Sequence, residues 1–352
     1  MRVLELGPYP PPWGGVQANL VAIREHLRSQ GVSCVVINIT RHRQADADGV
    51  YYPRTAWGLL RLLFRLEYDV AHLHLGGDLT PRLLALCLAC NAVPGKKTVL
   101  TFHSGGYPSS AVGQTAHPAT LRGFVLRRFD ALIAVNAEIG ALFRRFGAQA
   151  ARVHLILPHA ILDSGGAEDL PASIDGFFEA HKPVLITVGL LEPEYDLPLQ
   201  IDVLGKVRER FPDAGLLIAG SGSLEDDLKR RIMGAPWRDH ILLAGDVAHP
   251  VALRAIARSD VLLRTTHYDG DSVAVREALH VGTPVVASDN GMRPEGVRLV
   301  PARDAAALES SIGEALAEGV RRTLPQAGRE NLQAVLDLYR RLVWRTRRKP
   351  GD

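Results

Sequence analysis

The apolar positions follow two alternating patterns. Short hydrophobic runs read as buried strands, and each is followed by a stretch with apolar positions at helical spacing. Residues 1–7, MRVLELG, open with a strand. A loop over 8–15 leads to a helix over 15–30, with Val16, Leu20, Ile23 and Leu27 on one face and Gly31 as its stop. Strands at 34–39, 69–75, 98–103, 131–136 and 153–157 then alternate with helices at 57–66, 80–92, 121–129 and 137–146. Residues 41–49 read as a polar surface loop, and 104–118 as a Gly/Ser/Pro-rich loop.

After a polar linker at 163–173 the alternation resumes. Strands are expected at 183–189, 214–220, 241–244 and 260–265. Helices follow at 197–211, 224–233, 251–258, 272–280, 304–317 and 325–344. Repeated strand–helix units imply parallel sheets covered on both faces. The fold class is therefore α/β, with two doubly wound, Rossmann-like domains facing a cleft. The boundaries are 1–165, 174–324, and a terminal segment 325–352 with a basic tail. A chain of 352 residues exceeds what one hydrophobic core supports, which agrees with two domains.

Composition narrows the class. Apolar content of 47% and charged content of 22% are ordinary for a globular protein. No apolar run reaches the roughly 18 residues of a membrane span, and the start lacks the pattern of a secretory signal. A cytoplasmic location is the expectation. The net charge of +3 hides an asymmetry. Residues 1–165 carry +7, residues 166–338 carry −9, and residues 339–352 carry +5. Either the first half faces an anionic partner or this is ordinary composition drift. Nucleic acid is not an expected partner.

Cys87 and Cys90 form a C-x-x-C, but inside the apolar helical run LLALCLAC. Without an electropositive setting or a second ligand pair, these are core thiols rather than a redox or zinc site. His72 and His74 share one face of a strand, which suits a structural or rim role better than metal. No metal site and no cofactor are expected.

Candidate chemistry concentrates at strand ends. Residues 265–289, TTHYDGDSVAVREALHVGTPVVASD, read as strand end, acidic glycine turn, short helix closed by Gly282, and buried strand. Amides at the helix start suit phosphate, and a carboxylate on the helix suits sugar hydroxyls. A solvated turn before a capped helix fits the spacing equally well. Three further loops have the same character: Gly14-Gly15 before a helix, His103 followed by Ser104-Gly105-Gly106, and Gly220-Ser221-Gly222. None reads G-x-G-x-x-G, which disfavours a lone dinucleotide domain.

In this order the GG loop, T-F-H-S-G-G, A-G-S-G and D-G-D-S-V-A-V-R-E-A-L…G-T-P-V-V-A-S-D resemble the GT-B glycosyltransferases of family 4. The resemblance runs to about Leu316. It implies a retaining, metal-independent, hexosyltransferase-type enzyme using a UDP- or GDP-linked sugar. Glu277 matches the acid that binds the nucleotide ribose, and Asp269 the acid that contacts the transferred sugar. Gly270, Asp271 and Ser272 match the turn near the diphosphate, with Arg276 beside them. His103 resembles the histidine beside the sugar, so His103, Asp269 and Glu277 are the expected catalytic set. Gly14, Gly15, Gly220, Ser221 and Gly222 are the expected donor-binding loops. The terminal helix resembles one that returns to the first domain.

The chain departs from the family pattern in places. Asp269 stands where Glu is usual, and Pro158-His159-Ala160 replaces Asn-Gly. Residues 189–196, GLLEPEYD, lack the usual Arg and Lys that clamp the diphosphate; Arg264, Arg276 and Arg293 are the candidate substitutes. The implied acceptor is a glycan or lipid-linked glycan in envelope or exopolysaccharide synthesis. Arg127-Arg128, Arg144-Arg145 and the tail suggest an anionic surface at the inner face of the membrane. The missing cations also allow a non-catalytic sugar-nucleotide-binding or scaffold protein, or less readily an epimerase.

Overall fold

The computed structural model describes residues 1–11, 13–40, 44–158, 169–268, 272–319 and 329–347. These form two compact units, one of residues 1–11, 15–162 and 327–352, the other of residues 12–14 and 163–326.

In the first unit the chain runs β1 (Arg2–Gly7), α1 (Gly15–Ser29), β2 (Ser33–Asn38), β3 (Val50–Tyr51), α2 (Ala56–Arg65), β4 (Val70–Leu75), α3 (Pro81–Asn91) and β5 (Lys97–Phe102). It continues with α4 (Ala111–Gln114), α5 (Leu121–Leu126), β6 (Ala131–Ala134), α6 (Ala137–Arg145) and β7 (Val153–Leu155). The seven strands form one sheet in the order β3-β2-β1-β4-β5-β6-β7, parallel throughout. Helix starts follow local chemistry. Thr55, Thr80, Thr120 and Asn136 each accept a hydrogen bond from a first-turn amide.

Strand alternation sorts the side chains. Leu4, Leu6, Leu73, Leu75, Leu100, Phe102 and Leu132 pack on one face with α3 and α6. Val3, Val70, Val99, Ala131 and Ile133 pack on the other with Ile23 and Leu27 of α1. Each such buried aliphatic or aromatic side chain contributes about 1.5–3 kcal/mol.

The second unit runs α7 (Ala172–Ala180), β8 (Val184–Val188), α8 (Leu197–Arg210), β9 (Gly215–Ala219), α9 (Glu225–Gly234), β10 (Ile241–Gly245) and α10 (His249–Arg258). Then come β11 (Val261–Arg264), α11 (Val273–Val281), β12 (Val285–Ser288), β13 (Arg298–Val300) and α12 (Ala305–Glu318). Its six strands are also parallel, in the order β10-β9-β8-β11-β12-β13. The last helix, α13 (Arg329–Arg347), groups with the first unit. There Leu332, Val335, Leu336 and Tyr339 bury against Val3, Ile23 and Leu27.

Both units are thus the doubly wound sheets that the sequence predicts. The elements the pattern did not announce are short: β3, β13, α4 and α7. Helix α7 begins at Ala172, inside the stretch read as linker. Cys87 and Cys90 are buried in the first core, and burial pushes both thiols up, Cys90 to about 12. They are structural, as expected. Among the described residues no helix is long and apolar enough to cross a membrane.

Candidate functional site

In each sheet the strand order reverses direction once, between β1 and β4 in the first and between β8 and β11 in the second. Ligands of such sheets bind beyond the carboxyl ends of the strands at this reversal. The predicted residues follow these strand ends.

In the second unit, β11 leads to α11. Ser272 caps α11, its hydroxyl accepting from the Val275 N–H at 3.4 Å. Gly282 ends the helix in a left-handed conformation at φ 82°, and Thr283 N–H returns to the Ala278 carbonyl at 2.8 Å. Between these caps lies Glu277, 4% exposed. Its Oε1 sits 2.5 Å from Nε2 of His249, the first residue of α10. A carboxylate this buried needs a partner, and the imidazole supplies one. Arg276 is half-buried one position earlier. Asp269, Gly270 and Asp271 lie outside the described residues.

The loop after β9 has a tighter role than bare access to a ligand. Gly220 has φ 138°, and a Cβ there would lie 1.8 Å from the Gly189 carbonyl oxygen. At Gly222 a Cβ would meet the Leu191 backbone at 2.5 Å. Leu191 N–H donates to the Ser221 carbonyl at 3.0 Å, and Leu224 N–H to the Leu191 carbonyl at 2.9 Å. The glycines therefore let two loops at the reversal, 189–191 and 220–222, pack backbone against backbone.

Two acids of 189–196, Glu192 and Asp196, are partnered within the unit. Glu192 accepts from Ser223 N–H at 2.9 Å and from its hydroxyl at 2.5 Å. Asp196, left-handed at φ 48°, lies 3.1 Å from His267 Nε2. The cationic groups come from further along the chain. Arg264, at the end of β11, is 6% exposed and donates to the Val188 carbonyl at 3.0 Å. Its guanidinium lies over the Tyr195 ring, 4.5 Å from the centroid, and beside Gly189, where a Cβ would be 2.9 Å from Nη1. Arg293 donates to Thr266 Oγ1 at 2.7 Å and to the Ser288 carbonyl at 3.0 Å. Of the candidate substitutes, Arg264 lies beside Gly189, next to the segment in which this chain lacks the family's cations.

In the first unit, Gly15 is the exposed first residue of the 15-residue α1, whose first turn holds no acid. Gly14 groups with the second unit instead. His103 directly follows β5, its N–H bonded to the Leu75 carbonyl at 2.7 Å. Its ring meets a polar seam that the sequence reading did not assemble. Glu5, His72 and His74 are each 0% exposed. His74 Nε2 lies 2.7 Å from Glu5 Oε2, and its Nδ1 lies 3.4 Å from His103 Nε2. Tyr339 of α13 donates to Glu5 Oε1 at 3.0 Å, and its oxygen is 2.5 Å from His72 Nδ1. His72 Nε2 is 2.7 Å from Thr101 Oγ1.

Electrostatics in the seam favour an ionised Glu5 and neutral imidazoles at His74 and His103. Burial alone would raise the Glu5 pKa, but the charge and hydrogen bonds of His72 and His74 hold it down at about 2. Burial and then the neighbouring His72 push His74 down to about 4. Burial, with His74 and His72 beside it, holds His103 well below the usual histidine value. His72 and His74 are core residues, not rim residues.

The chain matches two family models in sequence. Residues 13–159 match Glycosyltransferase Family 4, and residues 175–333 match Glycosyl transferases group 1. The chain belongs to the family 4 glycosyltransferases. Phosphatidyl-myo-inositol mannosyltransferase of Mycolicibacterium smegmatis is 26% identical over 329 residues, 85% of this chain and 80% of that protein. Glycogen synthase of Mycobacterium tuberculosis is 28% identical over 270 residues, 70% of this chain and 60% of that protein. Among solved structures, HepE of Anabaena in complex with UDP and glucose aligns with a TM-score of 0.68 at 17% identity, covering 98% of this chain and 99% of that one. Sucrose-phosphate synthase of Thermosynechococcus elongatus aligns at 0.66 and 20% identity, covering 97% and 98%. The fold is GT-B, and this family member is a nucleotide-sugar glycosyltransferase. Signals for the missed residues were weak. His249 opens a helix far in sequence from Glu277, whereas Glu5, a lone acid in an apolar parallel strand, was a legible anomaly.

Proposed function

We propose that this glycosyltransferase transfers a hexose, with retention of configuration and without a bound metal, from a UDP- or GDP-sugar to a glycan or lipid-linked acceptor. The observation that carries the reading is Glu277. It is a buried carboxylate on a short capped helix beyond the parallel strand ends, with its Oε1 2.5 Å from His249. There it accepts the ribose hydroxyls, while the Ser272 end of α11 faces the diphosphate. Asp269 is assigned to the transferred sugar, and Gly270 and Asp271 to the diphosphate. Arg264 and Arg293 supply positive charge in place of the Arg and Lys absent from 189–196. With Arg264 beside Gly189, the missing residues give no reason to prefer a non-catalytic protein. His103 and Gly15 serve the sugar and acceptor side.

The names of the relatives include a phosphatidyl-inositol mannosyltransferase and a glycogen synthase, which supports a lipid-linked or glycan acceptor. We assign the chain to envelope or exopolysaccharide synthesis at the inner, anionic face of a membrane. Helix α2 suits that surface. Trp57 and Phe64 are 75% and 56% exposed on one face, with exposed Arg54, Arg61 and Arg65 around them. Aromatic rings at the headgroup level and basic residues worth about 1 kcal/mol each fit such a site.

The test combines calorimetry with UDP- and GDP-sugars and turnover on membrane extract in the presence of EDTA. Binding, EDTA-resistant nucleoside diphosphate release and a product anomer matching the donor are expected. An inverted product or loss of activity with EDTA contradicts the mechanism. Flotation with anionic liposomes should be salt-sensitive and weakened in W57A/F64A; no flotation removes the membrane.

A further inference from the structure

The polar seam of the first unit is arranged as a directed chain of hydrogen bonds, and it ends on His103. Its donors and acceptors can be assigned one by one. Tyr339 spends its single proton on Glu5 Oε1, so its oxygen accepts from His72 Nδ1–H. His72 Nδ1 also lies 3.3 Å from Glu5 Oε2, and its Nε2 lies 2.7 Å from the Thr101 hydroxyl. Glu5 Oε2 accepts from His74 Nε2–H at 2.7 Å. A neutral His74 therefore presents a bare Nδ1, and only a donor can face it. That donor is His103 Nε2–H at 3.4 Å. The two ring planes are 26° apart with centroids 5.7 Å apart, so the nitrogens are the nearest parts of rings that meet edge to edge.

We propose that Glu5 and His74 are positioning residues for His103. They hold its ring edge-on to β4 and fix its proton on Nε2, which leaves Nδ1 as the ring's acceptor for a ligand hydroxyl. The inference rests on the reading of His103 as the residue on the sugar side.

The arrangement parallels second-partner control of histidine elsewhere, where the bond made by one ring nitrogen sets the state of the other. Here the carboxylate acts across two rings. Glu5, His72 and His74 also present their ligand atoms within 4.8 Å of one another, a spacing that could hold a metal ion. The hydrogen bonds argue against that use. His72 Nδ1 and His74 Nε2, the atoms a metal would need, are the ones that serve Tyr339 and Glu5. All three side chains are fully buried, and every nitrogen already has a partner.

The test is long-range 15N–1H NMR of the histidine rings in the full chain, followed by Glu5→Gln. In the wild type, His103 and His74 should each show a protonated Nε2 and an unprotonated Nδ1. Glu5→Gln offers His74 both a donor and an acceptor, so the His103 signals should move toward a mixture of tautomers. kcat should fall at least tenfold with the KM for the donor nearly unchanged. A wild-type His103 protonated on Nδ1, or a tautomer unaffected by Glu5→Gln, overturns the proposal; the wild-type spectrum needs no variant to fold. A tautomer that mixes while kcat holds refutes instead the reading of His103 on which the proposal rests. Zn2+ taken up by the wild type and not by Glu5→Gln or His74→Gln also overturns it, because the carboxylate would then be a ligand.

Discussion

The two sheets carry their polar groups in different places. In the first unit, Glu5, His72, His74 and Thr101 lie inside the sheet, on the face covered by α1 and α13. In the second, the strands are apolar apart from Thr187 and the terminal Arg264, Ser288 and Arg298, and the candidate functional groups stand in loops and on α11. A polar group inside a sheet is stable only if every donor and acceptor is met, so the first unit's chemistry is rigid and interlocked. A group on a loop needs only local support, which the second unit supplies by packing 220–222 against 189–191. Position in the sheet therefore sets both the cost of change and how readily a sequence discloses the site.

The contrast predicts the largest loss at Glu5. Glu5→Ala leaves His74 Nε2 and the Tyr339 hydroxyl without their acceptor and should destabilise the first unit by about 3–5 kcal/mol in urea unfolding. A change under 1 kcal/mol would mean that the seam is not interlocked. Next comes Gly220→Ala. Its Cβ would collide with the Gly189 carbonyl and sit at φ 138°, so about 3 kcal/mol of stability should be lost from the second unit.

Acid should divide the units. The folded-state pKa of His74 is pushed from 6.5 to about 4, and that of Glu5 from 4.5 to about 2. Both are depressed, so the unfolded chain binds more protons and stability rises with pH. The contribution of His74 is full above pH 6.5 and is lost as pH falls toward 4; that of Glu5 is lost between 4.5 and 2. Hydrogen exchange read by mass spectrometry at pH 7.5 and 5 should show β4 and β5 losing protection before β8 and β11. Equal loss in both units would contradict the assignment. The smallest effect is expected at Ser272→Ala, which removes a 3.4 Å cap bond. About 0.5–1 kcal/mol of stability should go, at the low end for an N-cap.

Much of this was legible in the chain. Period and turn residues gave both doubly wound sheets, and the resemblance led to α11, Ser272 and Glu277. What stayed hidden depended on pairings across the sheet. Parallel register brings Glu5 beside His72 on the neighbouring strand, a relation no local spacing encodes. His249 reaches Glu277 only because α10 and α11 pack together. The reading of Gly220 as backbone open to a ligand did not include its close approach to the Gly189 carbonyl. The edge strands β3 and β13 are too short for a periodic signal, and α7 starts inside a stretch whose polar residues read as a linker.

The central claim is that Glu277 holds the donor nucleotide. Titration of wild type and Glu277→Ala with UDP- and GDP-sugars by calorimetry tests it most directly. Loss of a hydrogen bond to a charged group should weaken binding by about 1.5–3 kcal/mol, or roughly 10- to 150-fold in Kd. Equal affinity in a folded Glu277→Ala variant would contradict the account and place the donor elsewhere.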